Sequence, residues 1–155
     1  MQMKQFKKIC MGCDHAAVEL KNKLVFFLKE KNITIQDMGT NNSDISVNYP
    51  DFGMRVSQSV VKGESDCGIL ICGTGLGMSM VANRFAGIRA ALCNDLFAAR
   101  MSRQHNNANI LVMGGRIIGD VLAKEIVQTF LETPFDSGRH LDRLNIFDHL
   151  GETIH

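Results

Sequence analysis

Cys67-Gly68-Ile69-Leu70-Ile71-Cys72-Gly73-Thr74-Gly75-Leu76-Gly77-Met78-Ser79 is the stretch that decides the fold. Its first half is short and almost wholly apolar, which reads as a strand covered on both faces. Its second half is a run of alternating glycines that leads into a helix. A buried strand feeding a glycine-rich helix entry is one βα step, and such steps in series build a parallel sheet with helical crossovers. Two nucleotide-binding motifs do not fit. The spacing is G-x-G-x-G, not G-x-G-x-x-G, and no Gly-Lys-Ser/Thr follows.

Working outward, further strands are expected over Lys8 to Gly12, Thr34 to Met38, Ala90 to Cys93 and Ile110 to Met113. Between them, Val18, Leu20, Leu24, Phe27 and Leu28 recur at helical spacing, as do Val121, Leu122, Ile126, Val127, Phe130 and Leu131. Tyr49-Pro50-Asp51 reads as a helix start, because proline is tolerated in the first turn. The fold class is therefore α/β: three layers, Rossmann-like, with a five-stranded parallel, doubly wound sheet and helices on both faces. One domain is expected over 1–155. A last amphipathic segment bears Leu141, Leu144, Phe147 and Leu150 and precedes no strand. It suits its own sheet or the surface of a partner subunit.

Composition narrows the function. The net charge is +1, without the clustered Lys and Arg excess that nucleic-acid binding needs. Lys4, Lys7 and Lys8 read as a solvated entry to the first strand. No apolar run reaches membrane-spanning length and no signal-type segment opens the chain. Five cysteines in largely apolar surroundings suit a reducing compartment, so a cytoplasmic protein is expected. Cys10-x-x-Cys13 has no second Cys pair to complete a zinc site.

In open parallel sheets, ligands bind outside the carboxyl ends of the strands. That rule selects Cys13-Asp14-His15, the Cys72 to Gly77 turn, and Gly114-Gly115-Arg116. Glycines at 73, 75 and 77 let backbone N–H groups converge on an anion at a helix start. Cys72 stands directly before them, a place that favours a thiolate able to take a proton beside a carbonyl. Asp14 suits a helix cap, and with His15 also suits handling of hydroxyl protons. Ser102-Arg103-Gln104-His105-Asn106-Asn107 closes a helix begun near Asp95, and His105 there fits either a charge–dipole placement or a proton shuttle. Arg139 and Arg143 lie four apart on one helix face and, with Arg116, suit an anion clamp.

These words together resemble the ribose-5-phosphate isomerase B family, which includes galactose-6-phosphate isomerase subunits. The likeness rests on Gly12-Cys13-Asp14-His15, Tyr49-Pro50, the run Gly68 to Gly77, the run Ala82 to Ala90, Ser102 to Asn106, and Gly138-Arg139-His140. It implies a homodimer, or a tetramer of such dimers, that interconverts ribose and ribulose 5-phosphates without metal or nucleotide. Cys72 is then the base moving a proton between C1 and C2. His105 opens the furanose ring with Thr74 and Asp14. Gly73, Thr74, Gly75, Leu76 and Gly77 hold the enediolate oxygens. Asp14, His15, Tyr49 and Asn106 would line the sugar, and Arg116, Arg139 and Arg143 match the family's phosphate-side or substrate-binding arginines. The resemblance also implies a composite site, with His105, Asn106 and some arginines supplied by the neighbouring chain. One branch of the family lacks the cysteine; this chain keeps it. A six-carbon 6-phosphate substrate and a non-catalytic sugar-phosphate sensor are the rival readings. The polar stretch Asn41 to Asn48 and the extension Met1 to Phe6 receive no role.

Overall fold

The computed structural model describes residues 6–148 and 150. Five strands form one wholly parallel sheet in the order β2-β1-β3-β5-β4. They are β1 (Lys8–Cys13), β2 (Thr34–Asp37), β3 (Cys67–Cys72), β4 (Ala90–Leu92) and β5 (Ile110–Gly114). Six helices follow in sequence: α1 (Val18–Glu30), α2 (Tyr49–Val61), α3 (Leu76–Ala82), α4 (Leu96–Gln104), α5 (Asp120–Glu132) and α6 (Arg139–Phe147). The doubly wound α/β expectation holds, and the strand ends differ from it by single residues. Met38 and Cys93 lie outside their strands, yet their N–H groups still donate to Met11 and Val112 across the ladder, at 2.8 and 2.9 Å. Pro50 falls in the first turn of α2, as its sequence position predicts.

Strand periodicity divides the core in two. Ile9, Met11, Cys67, Ile69, Ile71, Leu111 and Met113 face one way and pack with α1 and α5. Cys10, Leu70, Cys72, Ile110 and Val112 face the other way and pack with α2 and α3. The second face is cut close. An added Cβ at Gly12 meets Val56 Cγ2 at 2.9 Å, and one at Gly68 meets Val56 Cγ1 at 2.6 Å. Small residues on β1 and β3 thus let α2 seat deeply, which fixes where its first residue, Tyr49, emerges.

The last helix turns His140 and Leu144 inward and leaves Leu141, Ile146 and Phe147 exposed. Its end is tied to the strand edge by Arg89 Nη1 and Asp148 Oδ2, 3.4 Å apart. Among the described residues no helix is long and apolar enough to cross a membrane.

The tight α2 seat gives a stability test. Gly68→Ala pushes against a β-branched valine whose helical rotamer is nearly fixed. Overpacking of this kind is expected to cost about 1–3 kcal/mol, read as a lower urea midpoint. An unchanged midpoint would show that α2 shifts off the sheet freely.

Candidate active site

β1 and β3 are neighbours whose following helices leave in opposite directions, so the crevice opens at their carboxyl ends. Backbone bonds bring three loops together there. Asp14 N–H donates to Ile71 O at 3.3 Å, Gly115 N–H to Cys72 O at 2.8 Å, and Arg116 N–H to Gly73 O at 2.9 Å. Asn94 Oδ1 accepts from Gly114 N–H at 3.1 Å and pins the end of β5, a contact that sequence reading did not foresee.

Cys72 is 5% exposed, and its sulfur accepts the Gly75 N–H at 3.1 Å. That amide is aimed inward because Gly75 has φ +81°, and a side chain there would run into Leu92 and the Met113 backbone. Only glycine closes this turn. Thr74 is exposed and its hydroxyl accepts from Leu76 N–H at 3.3 Å. Gly77 lies under the Tyr49 ring: an added Cβ falls 2.5 Å from Cζ. The Arg116 side chain lies across Gly73, with Cδ and Nη1 at 3.5 and 3.6 Å from a Cβ placed there. Asp14 is buried and accepts from Ala16 N–H at 3.0 Å, capping a short 3-10 turn. His15 follows it, and His15 Nδ1 accepts from Val47 N–H at 3.3 Å. Asp14, His15, Tyr49, Arg116 and the run from Cys72 to Gly77 therefore share one edge of the sheet.

His105, Asn106, Arg139 and Arg143 do not join them. His105 caps the carboxyl end of α4, ahead of the entry to β5. Cys72 pairs with Gly114 at the exit of that strand. At roughly 3.3 Å per residue, the steps from Ile110 to Gly114 separate the two edges by about 13 Å. The second group forms its own cluster. The His105 and His140 rings stack at 4.2 Å and 7°, flanked by the exposed Arg139 and Arg143. Burial first, then His105, Arg139 and Arg143, hold His140 below the ordinary imidazole range, with Asp136 opposing.

His105, Asp136 and His140 each bring one ligand atom within 4.8 Å of the others. The two rings are nearly parallel, so their in-plane lone pairs run side by side. One ion cannot meet both unless a ring turns.

Comparison with known proteins identifies the architecture. The ribose/galactose isomerase family model matches residues 9–147. The chain belongs to that family. Ribose-5-phosphate isomerase B of Escherichia coli (strain K12) is 46% identical, over 89% of this chain and 92% of its own. A ribose 5-phosphate isomerase structure from Thermotoga maritima superposes with a TM-score of 0.89 at 55% identity, covering 91% of this chain and 97% of that one. The D-erythrulose-4-phosphate isomerase of Pectobacterium atrosepticum is 37% identical, over 91% of this chain and 95% of its own.

Two tests follow from the electrostatics. Burial raises the thiols of Cys10 and Cys67, lifts Cys13 to about 12 and Cys93 to about 11, and Lys21 only partly offsets it at Cys13. These four stay protonated near pH 8 and are at most 1% exposed. Iodoacetamide is therefore expected to label Cys72 alone, as mapped by peptide mass spectrometry; a second labelled site would reveal local opening. A depressed His140 pKa means that the folded state binds fewer protons than the unfolded one. This contribution to stability is present above the unfolded His pKa of about 6.5 and falls away as pH drops through it and the lower folded pKa. In an NMR titration the His140 midpoint is expected below about 6.5, rising in Arg143→Ala. A midpoint that stays put in the variant would remove Arg143 from the account.

Proposed function

We propose that the chain is a ribose-5-phosphate isomerase that moves a proton between C1 and C2 through an enediolate, in a site shared by two subunits. The placement of Cys72, with its sulfur held by the Gly75 N–H and the Arg116 and Asp14 loops beside it, carries this reading. In the forward direction the Cys72 thiolate takes the C2 proton of the open-chain aldose. The C–H electron pair becomes the C1–C2 double bond, and the C1 carbonyl oxygen takes the negative charge. The C2 hydroxyl proton then passes to the C1 oxygen. As the C2–O bond becomes a carbonyl, the C1–C2 double-bond pair takes the proton back from Cys72 at C1, giving the ketose with no net redox change. First-turn N–H groups of α3, which lack intrahelical partners, suit the developing oxyanion.

Ring opening needs a group that delivers a proton to the ring oxygen and removes one from the anomeric hydroxyl. His105, assisted by Thr74 and Asp14, fills that role in this proposal. Its place on the far edge of the sheet supports a composite site, because one chain does not bring it to Cys72. The exposed Leu141, Ile146 and Phe147 of α6 supply apolar surface for a second copy. The partner's His105, Asn106, Arg139 and Arg143 would then complete a pocket lined by His15 and Tyr49, with Arg116 from the same side. Five free cysteines favour a reducing, cytoplasmic setting.

Turnover of four-, five- and six-carbon aldose phosphates should be greatest on ribose 5-phosphate and lost in Cys72→Ala. A higher rate on another chain length would move the substrate. Binding without C2 proton exchange would make the protein a sensor. The shared site has its own test. Cys72→Ala and His105→Ala homodimers are each expected to be nearly inactive. Their statistical mixture should recover about a quarter of wild-type activity, because each mixed dimer regains one intact site. No recovery after verified subunit exchange would place both groups in one chain's site.

A further inference from the structure

We propose that Lys21 is a positioning residue whose buried head group anchors the segment from Asp37 to Asn48 and so sets His15 and Tyr49 for substrate. This inference rests on the isomerase reading above. Lys21 occupies the inward row of α1 with Val18, Leu24 and Leu28, and its side chain is fully buried. A core position of this kind ordinarily takes an apolar residue, since burying an ammonium is costly unless every N–H is matched. Here all three donors are matched. Nζ lies 2.8 Å from Asp37 Oδ2, donates to Thr40 O at 3.0 Å, and to Asn41 Oδ1 at 2.6 Å.

Those acceptors are the last residue of β2, Asp37, and two residues of the chain leaving it, Thr40 and Asn41. The same stretch is pressed against the end of β1. A Cβ at Gly39 would meet Cys13 N, Cys13 Sγ and Lys21 Cδ, each at 2.9 Å. Thr40 N–H donates to Cys13 O at 3.3 Å, and Cys13 Sγ approaches Thr40 O at 3.6 Å. Beyond this anchor, residues 42–46 are exposed, and the side-chain bonds there are local, such as Asp44 N–H to Asn42 Oδ1 at 2.8 Å. The segment is caught again only where Val47 N–H reaches His15 Nδ1, immediately before Asn48 and Tyr49 begin α2. Lys21 thus touches none of the reacting groups, yet it holds the near end of the strap whose far end orients an imidazole and a phenol of the sugar side. Loss of the anchor is expected to weaken binding and leave the proton transfer at Cys72 intact.

Lys21→Met keeps the length of the side chain and strands Asp37. The double variant Lys21→Met/Asp37→Asn removes the stranded charge. Tyr49 is the single tyrosine and there is no tryptophan, so ultraviolet emission reports on that ring without any need for activity. Stability should fall in the single variant and largely return in the double. In both, KM for ribose 5-phosphate should rise about 10- to 100-fold with kcat within about threefold. Acrylamide quenching of Tyr49 should increase in both. Recovery of KM and quenching along with stability would show a purely structural role and overturn the proposal, as would an unchanged KM. If Lys21→Met does not fold, Asn41→Ala, at an exposed position, removes one acceptor and should raise KM and quenching in the same direction. No change there would equally overturn it. If the wild type turns over no sugar phosphate, the isomerase reading fails. Tyr49 quenching then still decides the anchor by itself: increased in the variants it stands, unchanged it falls.

Discussion

β3 is flanked by β1 and β5 and covered by helices on both faces, so all of its residues are buried and only Cys72, at its end, keeps a trace of exposure. This constraint governs the rest. A strand buried on all sides must spend its backbone groups on its neighbours, and it does so with β1 from Cys67 to Ile71 and with β5 from Gly68 to Cys72. The first place where an unpaired polar group is tolerated is where the strand ends. Cys72 stands there, and the turn that must follow is the one that directs an amide at its sulfur. Chemistry at this edge is a consequence of where burial stops.

That logic explains how much the sequence disclosed. β3 and α5 were legible because burial on two faces and on one face leave distinct apolar periods. The edge holding Asp14, Cys72 and Arg116 was legible too, since any parallel sheet presents its strand exits together. The distance from Cys72 to His105 was not. It depends on α4 running back to the entry side and on β5 inserting between β3 and β4, and strand order leaves no mark in local periodicity. His105 is nearer than Arg116 to Cys72 along the chain, yet only Arg116 shares its edge.

Lys21 shows a second kind of concealment. At the spacing of Val18, Leu24 and Leu28 it falls on the inward row, and this was the available signal. A charged residue in that row ordinarily snorkels to the surface, so the pattern alone reads it as a flaw in the stripe. Asp37 closes β2, but the other acceptors, Thr40 and Asn41, come from a polar run with no period of its own, and sequence reading gave the stretch from Asn41 no role. A buried cation and an unpatterned loop are each uninformative alone. Together they are one structure, because the loop supplies the oxygens that make burial of the cation tolerable.

The two edges of the sheet differ in their electrostatics as well as their place. At the Cys72 edge stand the exposed Arg116 and amides fixed by a turn that only glycine can make. At the other edge the exposed Arg139 and Arg143 flank two stacked imidazoles, of which His140 is buried. Burial first, and then the neighbouring His105, Arg139 and Arg143, disfavour a positive charge on His140, and its depressed pKa records both. An anion placed among these groups would relieve their repulsion, which is why the proposed function puts the substrate phosphate there. In the proposed reaction, preorganised amides would meet the charge that develops during proton transfer, while clustered cations would meet the charge that the substrate always carries. Within one chain the two groups lie on separate edges of the sheet, and under that proposal a second copy of the chain is the simplest body able to bring them together.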